Sequence, residues 1–313
     1  MGALIRALAA RLVQAAFVAV LVGVACFAIV EFLPGDQAYR VASARYGEDM
    51  ASGKAAEAVR AELGLDRPWP IRLAAWLGGI ATFDLGVSLV SGENVAVEIG
   101  HQFGATLGLS LLALALSAAV GIPLGIAMAL RGGALDAGGL VVAAALRATP
   151  AYLIGLGLML LIAVRWGLLP AAGYDNAAAW PLPAATLALG LAAMSMRVTR
   201  DAAARVLARA DTHFARTKGL PESAVLSRHV LRNAGVPVVA YLGVQLVWLV
   251  EGVVVVESLF SWPGIGHALI HAVIARDVPM LQGTALTMGL LFVALNAAVD
   301  LLCLAIDPRG RRA

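Results

Sequence analysis

Long apolar runs, separated by shorter polar stretches, dominate the hydropathy pattern of this chain. A helix needs roughly 20 mostly apolar residues to cross a bilayer. The runs that reach or approach this length lie at 12–33, 105–130, 139–164, 182–199, 237–258 and 283–305. The fourth run is short and contains Pro183, so its start is left open. The pattern predicts an all-α membrane protein, built as a polytopic bundle of about six transmembrane helices.

The composition supports a membrane protein over a soluble one. Of 313 residues, 61% are hydrophobic and 14% are charged, whereas soluble domains have about 45–50% apolar and about 25% charged residues. Arg6 and Arg11 precede the first apolar run, as they would in a secretory signal. That run is longer than the apolar core of about 7–15 residues in a signal peptide, and we predict that it remains as a span.

Two long polar segments divide the chain into regions. We predict an amino-terminal tip with the first span at 1–33, and a long outer loop with interfacial helices at 34–104. The membrane core follows at 105–305 and contains the second polar segment, a basic loop at 197–236. A short cytoplasmic tail occupies 306–313.

Two features of the outer loop suggest helices near the membrane surface. Residues 48–63 (EDMASGKAAEAVRAEL) have the pattern of a surface helix, and Gly64 follows as a helix stop. Trp69, Trp76 and Phe83 are spaced as aromatic residues along a membrane interface would be. Simple packing of the loop on the ends of the spans is compatible with the same pattern.

The distribution of Lys and Arg predicts the orientation, because cytoplasmic connections carry an excess of these residues. With both termini inside, the cytoplasmic side holds Arg6, Arg11, Arg131, Arg197, Arg200, Arg205, Arg209, Arg216, Lys218, Arg228, Arg232, Arg309, Arg311 and Arg312. The two short outer loops then hold only Arg165 and Arg276. The opposite topology would place the basic loop outside, and we reject it.

Several charged residues lie within or near the apolar runs, namely Arg147, Glu251, Glu257 and Asp300. Insertion of such a charge costs about 2.5–3.5 kcal/mol at mid-bilayer, so these side chains usually face a bundle interior or a watery path. Asp300 shares a helix face with Asn296. The pair could hydrogen-bond to a neighbouring helix, or it could line a transport path. Arg147 could pair with one of the acids, but the sequence does not choose which.

The sequence lacks the motifs of an enzyme. It has no G-x-x-x-x-G-K-[ST] phosphate loop, no H-E-x-x-H and no G-x-S-x-G. His267 and His271 share a helix face with a spacing that suits metal ligation, but no third ligand is near. We therefore predict no catalytic residue, no metal site and no bound cofactor. Uphill transport would need energy from a partner or from an ion gradient.

A series of short motifs runs in order along nearly the whole chain. The outer motifs are LPGD at 33–36, LGLDRP at 63–68, DLGVS at 84–88 and LPAAG at 169–173. The later motifs are ARTKGL at 215–220, RHVLRNAGVP at 228–237, VESLFSWPGIG at 256–266, RDVP at 276–279, and Asn296 and Asp300 with DPR at 307–309. Together they resemble the permease subunits of ABC importers in the dipeptide, oligopeptide and nickel branch, specifically the first of the two permeases.

Three positions depart from the pattern of that family. Phe83 stands in place of the first glycine of G-D-L-G-x-S, and Val278 stands in place of the tyrosine of R-D-Y-P. His213-Phe214-Ala215 occupies the position where the wider importer class has Glu-Ala-Ala, a triplet that this branch often lacks.

The resemblance implies that the basic loop contains a short coupling helix that fits a cleft in an ATPase subunit. The contact residues would be Ala215, Arg216, Thr217, Lys218, Gly219 and Leu220. Gly219 is expected to end the first helix in a left-handed conformation, and a second helix to start near Pro221-Glu222-Ser223. The alternative is that the arginines only satisfy the positive-inside rule or contact anionic lipid.

The resemblance also implies a set of partners and a cellular location. The chain would form a heterodimer with a sister permease in a bacterial inner membrane, with two ATPases and an extracytoplasmic substrate-binding protein facing the outer loop. ATP and Mg would be bound by the ATPase subunits, and no nucleic acid partner is expected. Residues that could form a gate or line the path are Glu251, Glu257, Trp262, Pro263, Gly264, Asn296 and Asp300.

The substrate is predicted to be a peptide, and nickel or a metal chelate is the alternative within the same family. A different class of protein, a secondary transporter driven by an ion gradient, would use Glu251 and Asp300 as coupling carboxylates and would not need the long cytoplasmic loop. An intramembrane enzyme is disfavoured by the missing motifs.

Overall fold

The computed structural model describes residues 2–32, 34–47 and 50–306, with side chains except at 2–8, 44, 250–252 and 303–306. In that part of the chain the fold is helical, as predicted, and the first helices are α1 (Gly2–Glu31), α2 (Gln37–Tyr46), α3 (Gly53–Glu62), α4 (Trp69–Thr82), α5 (Val95–Arg131), α6 (Gly133–Ala148) and α7 (Ala151–Leu158). They are followed by α8 (Pro181–Leu207), α9 (Ala210–Thr217), α10 (Glu222–Val225), α11 (Arg232–Gly252), α12 (Val254–Leu259), α13 (Ile265–Ile274) and α14 (Val278–Ile306). The predicted DPR motif at 307–309 and most of the predicted tail lie outside the described residues.

Within the described residues, five helical stretches are long and apolar enough to cross a membrane. They are Ala9–Glu31, Val95–Arg131, Ala177–Leu207, Glu222–Leu249 and Val278–Leu302. A sixth candidate combines Gly133–Ala148 with Ala151–Arg165, where a π-helical stretch continues α7, and these two parts are bent by 99°. The number of spans agrees with the prediction, but the third run at 139–164 is not one continuous helix.

Pro150 explains the break in this third span. Proline has no N–H to donate to the carbonyl of Leu146, and its ring pushes the preceding residue out of the helical region. Thr149 is accordingly extended, with φ −88° and ψ 123°. The chain resumes a helix directly after Pro150 because a fixed φ near −65° suits the start of a helix.

The chain forms two compact units, and the first contains residues up to Thr106 together with Pro263–Ala294. Its core joins the predicted outer loop to α5, α13 and α14 through Leu85, Val95, Ile99, Ile265, Ala268, Ala272, Met280 and Leu286. A second cluster packs α2 on α3 around Val41 and Val59. The outer loop therefore does not form a unit of its own, because it shares a core with residues that lie almost 200 positions later in the chain.

Helices α2 and α3 are bounded by local signals that the sequence contained. Ser52 caps α3 by accepting a hydrogen bond from the N–H of Ala55 (3.3 Å), and Gly64 has a φ of 60° just after the helix. The predicted helix stop is thus confirmed, although the helix begins five residues later than predicted, at Gly53, and Glu48 and Asp49 lie outside the described residues. The guanidinium of Arg45 binds both carboxylate oxygens of Glu62 and lowers the pKa of that carboxyl.

The three aromatic residues predicted to lie at the interface, two in α4 and one directly after it, do not share one environment. Trp69 and Phe83 are 56% and 77% exposed, as expected of interfacial side chains. Trp76 instead donates its indole N–H to the carbonyl of Gly23 in α1 at 3.2 Å. Trp76 therefore packs α4 against the first span, as the alternative interpretation allowed, and an interfacial position of Trp69 and Phe83 stays a prediction.

The second unit contains Leu107–Trp262 and the chain from Leu295 onward, and α8 lies at its centre. Helix α8 contacts α6, α7 and α11. Its contact with α5 is close, because Gly121 and Gly125 bring the α5 backbone against α8 at Ser195 and Met196. Such small-residue spacing is a common way for membrane helices to approach each other.

A buried polar network connects α5, α8 and α11 within the second unit. The hydroxyl groups of Ser117 and Ser195 lie 3.0 Å apart, and Ser195 donates to the side-chain oxygen of Gln245 at 2.9 Å. The amide of Gln245 also donates to the carbonyl of Leu191 at 3.0 Å. These hydrogen bonds fix how the helices are rotated against each other, because in lipid an unsatisfied polar group would be costly.

We predict that Gly125→Ala destabilises the second unit by roughly 1–3 kcal/mol, the usual cost of overpacking. A methyl group at Gly125 would lie 2.4 Å from the carbonyl oxygen of Met196, a backbone atom that cannot rotate away. Thermal unfolding of the solubilised subunit measures the effect. Gly104→Ala in the same helix is the control, since a methyl group there meets nothing within 4 Å. Equal melting temperatures for the two variants would contradict the prediction.

Candidate functional site

Helix α9 is fixed against the end of α8 by its buried face. The hydroxyl of Thr212 donates to the carbonyl of Val206 at 2.8 Å, and Thr212 is fully buried. Ala215, one turn later, is also buried. The short helix is therefore anchored by contacts with the protein, and its opposite face is exposed.

Gly219 ends this helix as predicted. Its φ is 82°, a left-handed conformation that glycine adopts without steric cost. The N–H of Gly219 donates to the carbonyl of Arg216 (2.9 Å), and the N–H of Leu220 donates to that of Ala215 (3.2 Å). This pair of hydrogen bonds is the Schellman motif, which satisfies the last carbonyls of a helix while the chain reverses.

A salt bridge then closes the turn between α9 and α10. The guanidinium of Arg216 donates to both carboxylate oxygens of Glu222, at 2.7 and 3.1 Å. These hydrogen bonds raise the pKa of Arg216 above its ordinary value. Helix α10 begins at Glu222, next to Pro221, where the sequence predicted the second helix. Arg216 thus stabilises the turn itself, and its contact with an ATPase subunit stays a prediction.

The exposed side of the turn combines an aromatic ring with a positive charge. Phe214 is 58% exposed, and the ammonium of Lys218 lies 4.6 Å from the centre of its ring. This is a cation–π arrangement. His213, Thr217 and Gly219 are exposed beside them. We refer to the exposed residues 213, 214, 217, 218 and 219 as the α9 surface.

The basic loop is shorter than the predicted segment 197–236. Helix α8 continues to Leu207, so Arg197 and Arg200 lie on a helix instead of in a loop. The guanidinium of Arg197 donates to Asp136 at 2.9 Å, and that of Arg200 donates to both oxygens of the same carboxylate. These two arginines join α8 to the start of α6, which the sequence analysis did not foresee.

Trp262 is buried completely and does not line an open path. Its ring stands edge-on to those of Tyr174 and Trp180, each with a centroid distance of 4.7 Å. Two residues before Trp262, the backbone carbonyl of Phe260 accepts a hydrogen bond from the N–H of Gly173 at 2.9 Å. The motifs LPAAG and FSWPG, almost 90 residues apart, therefore meet in one aromatic core of the second unit.

The other candidate path residues lie in different settings. Glu257 is fully buried on α12, while Asn296 is half-buried and Asp300 is exposed on α14. Pro263 is exposed, and Gly264 is buried as the residue that precedes α13. The side chain of Glu251 lies outside the described residues.

Asp277 has a role that sequence reasoning missed. Its carboxylate accepts hydrogen bonds from the hydroxyl of Ser88 (2.5 Å) and from the N–H groups of Leu89 (3.3 Å) and Met280 (3.2 Å). The motifs DLGVS and RDVP are thus two halves of one interaction inside the first unit. Their order in the sequence was visible, but nothing local indicated that they pair.

His267 and His271 lie side by side on α13, with ring centroids 4.4 Å apart and ring planes tilted by 57°. Burial, and secondarily the neighbouring His271, lower the pKa of His267. Among the described residues, no group of three or more His, Cys, Asp or Glu side chains could hold a metal ion.

Comparison with known proteins gives consistent relatives along the chain. The sequence model of a family described as a binding-protein-dependent transport system inner membrane component matches residues 121–312. A protein named as a peptide transport system permease in Brucella abortus strain 2308 is 37% identical over 310 residues, covering 96% of this chain and 97% of the relative. A glutathione transport system permease protein of Pectobacterium atrosepticum is 38% identical over 292 residues, covering 93% and 94%.

A solved structure supports the same fold. The crystal structure of an amino acid ABC transporter aligns with a TM-score of 0.52 and 16% identity, covering 66% of this chain and 92% of that chain. At this identity the likeness concerns the fold alone. It agrees with the predicted all-α bundle of membrane helices.

Proposed function

Because the chain belongs to the family of binding-protein-dependent transport system inner membrane components and is a permease subunit of an ABC importer, we propose that it carries peptides across the membrane. The names of its relatives support this substrate class, since they refer to peptide and glutathione transport. Glutathione is itself a modified tripeptide. These relatives do not favour nickel, the alternative that the sequence left open.

The α9 surface is the docking site for an ATPase subunit in this proposal, and its geometry is the observation that carries it. A lever must be rigid to transmit a movement, and the turn is closed by the Schellman hydrogen bonds and by the salt bridge between Arg216 and Glu222. A docking surface must also be accessible, and Phe214 and Lys218 are exposed on the side opposite the buried Thr212 and Ala215. Positive-inside charge alone would require neither feature.

The turn between α9 and α10 is connected to two membrane helices. Buried residues of α8 (Ala202, Ala203 and Val206) pack with Val230 and with Ala234 and Val238 of α11. A force applied at the α9 surface would therefore act on both spans at once.

The family of this chain supplies the membrane component of transport systems that use a binding protein. We therefore propose that the complex contains two ATPases, which bind ATP and Mg on the inner side, and a sister permease as heterodimer partner. The binding protein docks on the outer loop. Both termini are cytoplasmic in this arrangement.

Uptake assays in proteoliposomes test the proposed class of transporter. With the sister permease, ATPases and binding protein, we expect accumulation of a labelled dipeptide to require internal ATP and to continue when a protonophore collapses the proton gradient. Excess Ni²⁺ should leave the uptake rate unchanged. A variant complex with a disabled ATPase is the control. Uptake that persists in that control and stops with the protonophore would identify an ion-driven carrier instead.

A further inference from the structure

Arg147 is a positive charge without a counter-charge in the described structure. It lies in the last turn of α6, three residues before Pro150, and it is exposed. Its guanidinium forms no ion pair with any described side chain, which excludes the described acids Glu257 and Asp300 as partners. The two arginines of α8 in the same unit differ, because they share the carboxylate of Asp136.

The contacts of α6 with α8 show which part of α8 lies beside Arg147 in the second unit. Near the start of α6, Asp136 binds Arg197, and Ala143 packs in a cluster with Ala193. Residue numbers thus rise along α6 while they fall along α8, so the two helices are antiparallel. Beyond the bend, Gly155 of α7 contacts Thr186 of α8.

Arg147 is consequently level with the part of α8 between Thr186 and Ala193. The apolar part of α8 extends from Pro181 to Met196, just before Arg197. At a rise of 1.5 Å per residue, the level of Arg147 lies roughly 11 Å from either end of this apolar part. The charge is therefore near the middle of the membrane-spanning region.

Contact with lipid tails is unfavourable at this level for two reasons. An arginine at the bilayer centre is costly to expose to hydrocarbon. The backbone is also broken here, because Pro150 provides no N–H for the carbonyl of Leu146, and Ala148, Thr149 and Pro150 are all exposed. Non-helical backbone at membrane depth occurs where it is covered by protein or lines a water-filled cavity. In secondary transporters, broken helices commonly form the substrate site.

We propose that the bend at Arg147–Pro150 lines the translocation path and that Arg147 binds a carboxylate of the transported peptide. The proposal rests on the peptide substrate class given above. Every peptide with a free carboxyl terminus carries this group, and a guanidinium binds it with two parallel hydrogen bonds. A water-filled path satisfies the charge of Arg147 between transport cycles, and the substrate carboxylate neutralises it during passage.

The test compares the uptake of a dipeptide with the uptake of its carboxyl-terminal amide by the reconstituted complex. Each compound is added at a concentration that saturates the binding protein. We expect Arg147→Gln to reduce uptake of the free acid roughly tenfold, the factor of one charge-assisted hydrogen bond, and to leave uptake of the amide nearly unchanged. Arg147→Lys should retain part of the preference for the acid. Arg165→Gln is the matched control, an exposed arginine at the outer end of the same broken span.

A second measurement does not depend on transport of the amide. In a background with Cys26→Ala and Cys303→Ala, Arg147→Cys should react with a membrane-impermeant maleimide, and saturating dipeptide should slow that reaction. A cysteine at Val142, an exposed apolar position on a different face of α6 from Arg147, should react slowly because an apolar face turned away from the path meets lipid. Failure of Arg147→Cys to react would overturn the proposal.

The outcomes separate this inference from the proposed function. If the wild-type complex transports no peptide, the substrate class is wrong. Another outcome is that the complex transports peptide while Arg147→Gln lowers uptake of the acid and uptake of the amide equally, or changes neither. In that case Arg147 does not bind the carboxylate. Rescue of Arg147→Glu by Glu251→Arg would also overturn the inference, because it would show that Arg147 pairs with the protein.

Discussion

Replacement of Gly219 by proline is expected to abolish the stimulation of ATP hydrolysis by substrate-loaded binding protein, while the subunit still inserts into the membrane. Proline fixes φ near −65°, whereas Gly219 has a φ of 82°. Proline also removes the N–H that donates to the carbonyl of Arg216. The chain can then no longer reverse after α9, and the α9 surface loses its fixed position relative to α8 and α11. ATPase activity of the reconstituted complex measures the effect.

Two control variants make this prediction specific. Gly219→Ala adds a methyl group that meets nothing within 4 Å, so only the strain of a positive φ remains, roughly 1 kcal/mol, and partial coupling is expected. Gly53→Pro introduces proline at the first position of α3 in the outer loop, where a helix tolerates it. If Gly219→Pro leaves hydrolysis and uptake at wild-type levels, the basic loop is only a topological anchor.

Trp262→Ala is expected to destabilise the second unit by about 3–5 kcal/mol, the usual cost of deleting a large buried aromatic side chain. Trp262 has no exposed surface and contacts both Tyr174 and Trp180 edge to face. The deletion would leave a cavity and remove two aromatic contacts, each worth about 0.5–1.5 kcal/mol beyond burial. The melting temperature of the solubilised subunit should fall strongly.

The same experiment distinguishes a core residue from a gate. Trp166→Ala is the matched control, because that tryptophan is 56% exposed and should tolerate truncation with little change in melting temperature. Trp262→Phe should restore much of the stability by refilling the cavity with a ring. Wild-type stability of Trp262→Ala combined with a selective loss of transport would assign Trp262 to the gate that the sequence suggested.

The turn at Gly219 shows what a local signal can predict. A glycine followed by Leu-Pro-Glu specified a left-handed helix end and the start of another helix, and both occur at those residues. Gly64 gave a similar signal for the end of α3. The break in the third span was also encoded locally, by Pro150, although apolar length alone favoured one continuous helix.

The pairing of distant residues shows the opposite case. Ser88 and Asp277 are 189 residues apart, and Asp136 and Arg197 are 61 apart, yet each pair forms a direct hydrogen bond. Trp262 looked suitable for an outer gate because of its motif, but its burial depends on Tyr174 and Trp180. Arg147 lies exposed at the bend, and its possible pairing with Glu251 stays a prediction because the side chain of Glu251 lies outside the described residues.

The sequence by itself determined the helical membrane fold, the number of apolar runs, the ends of the short helices and the family. These properties follow from the length of an apolar segment, from the positive φ that glycine permits and from the N–H that proline lacks, and each is decided within one segment. Only the tertiary structure decided which charges are neutralised, which aromatic side chains are buried and where the broken span exposes Arg147. Those outcomes depend on side chains that approach each other through packing, and no single segment contains both partners.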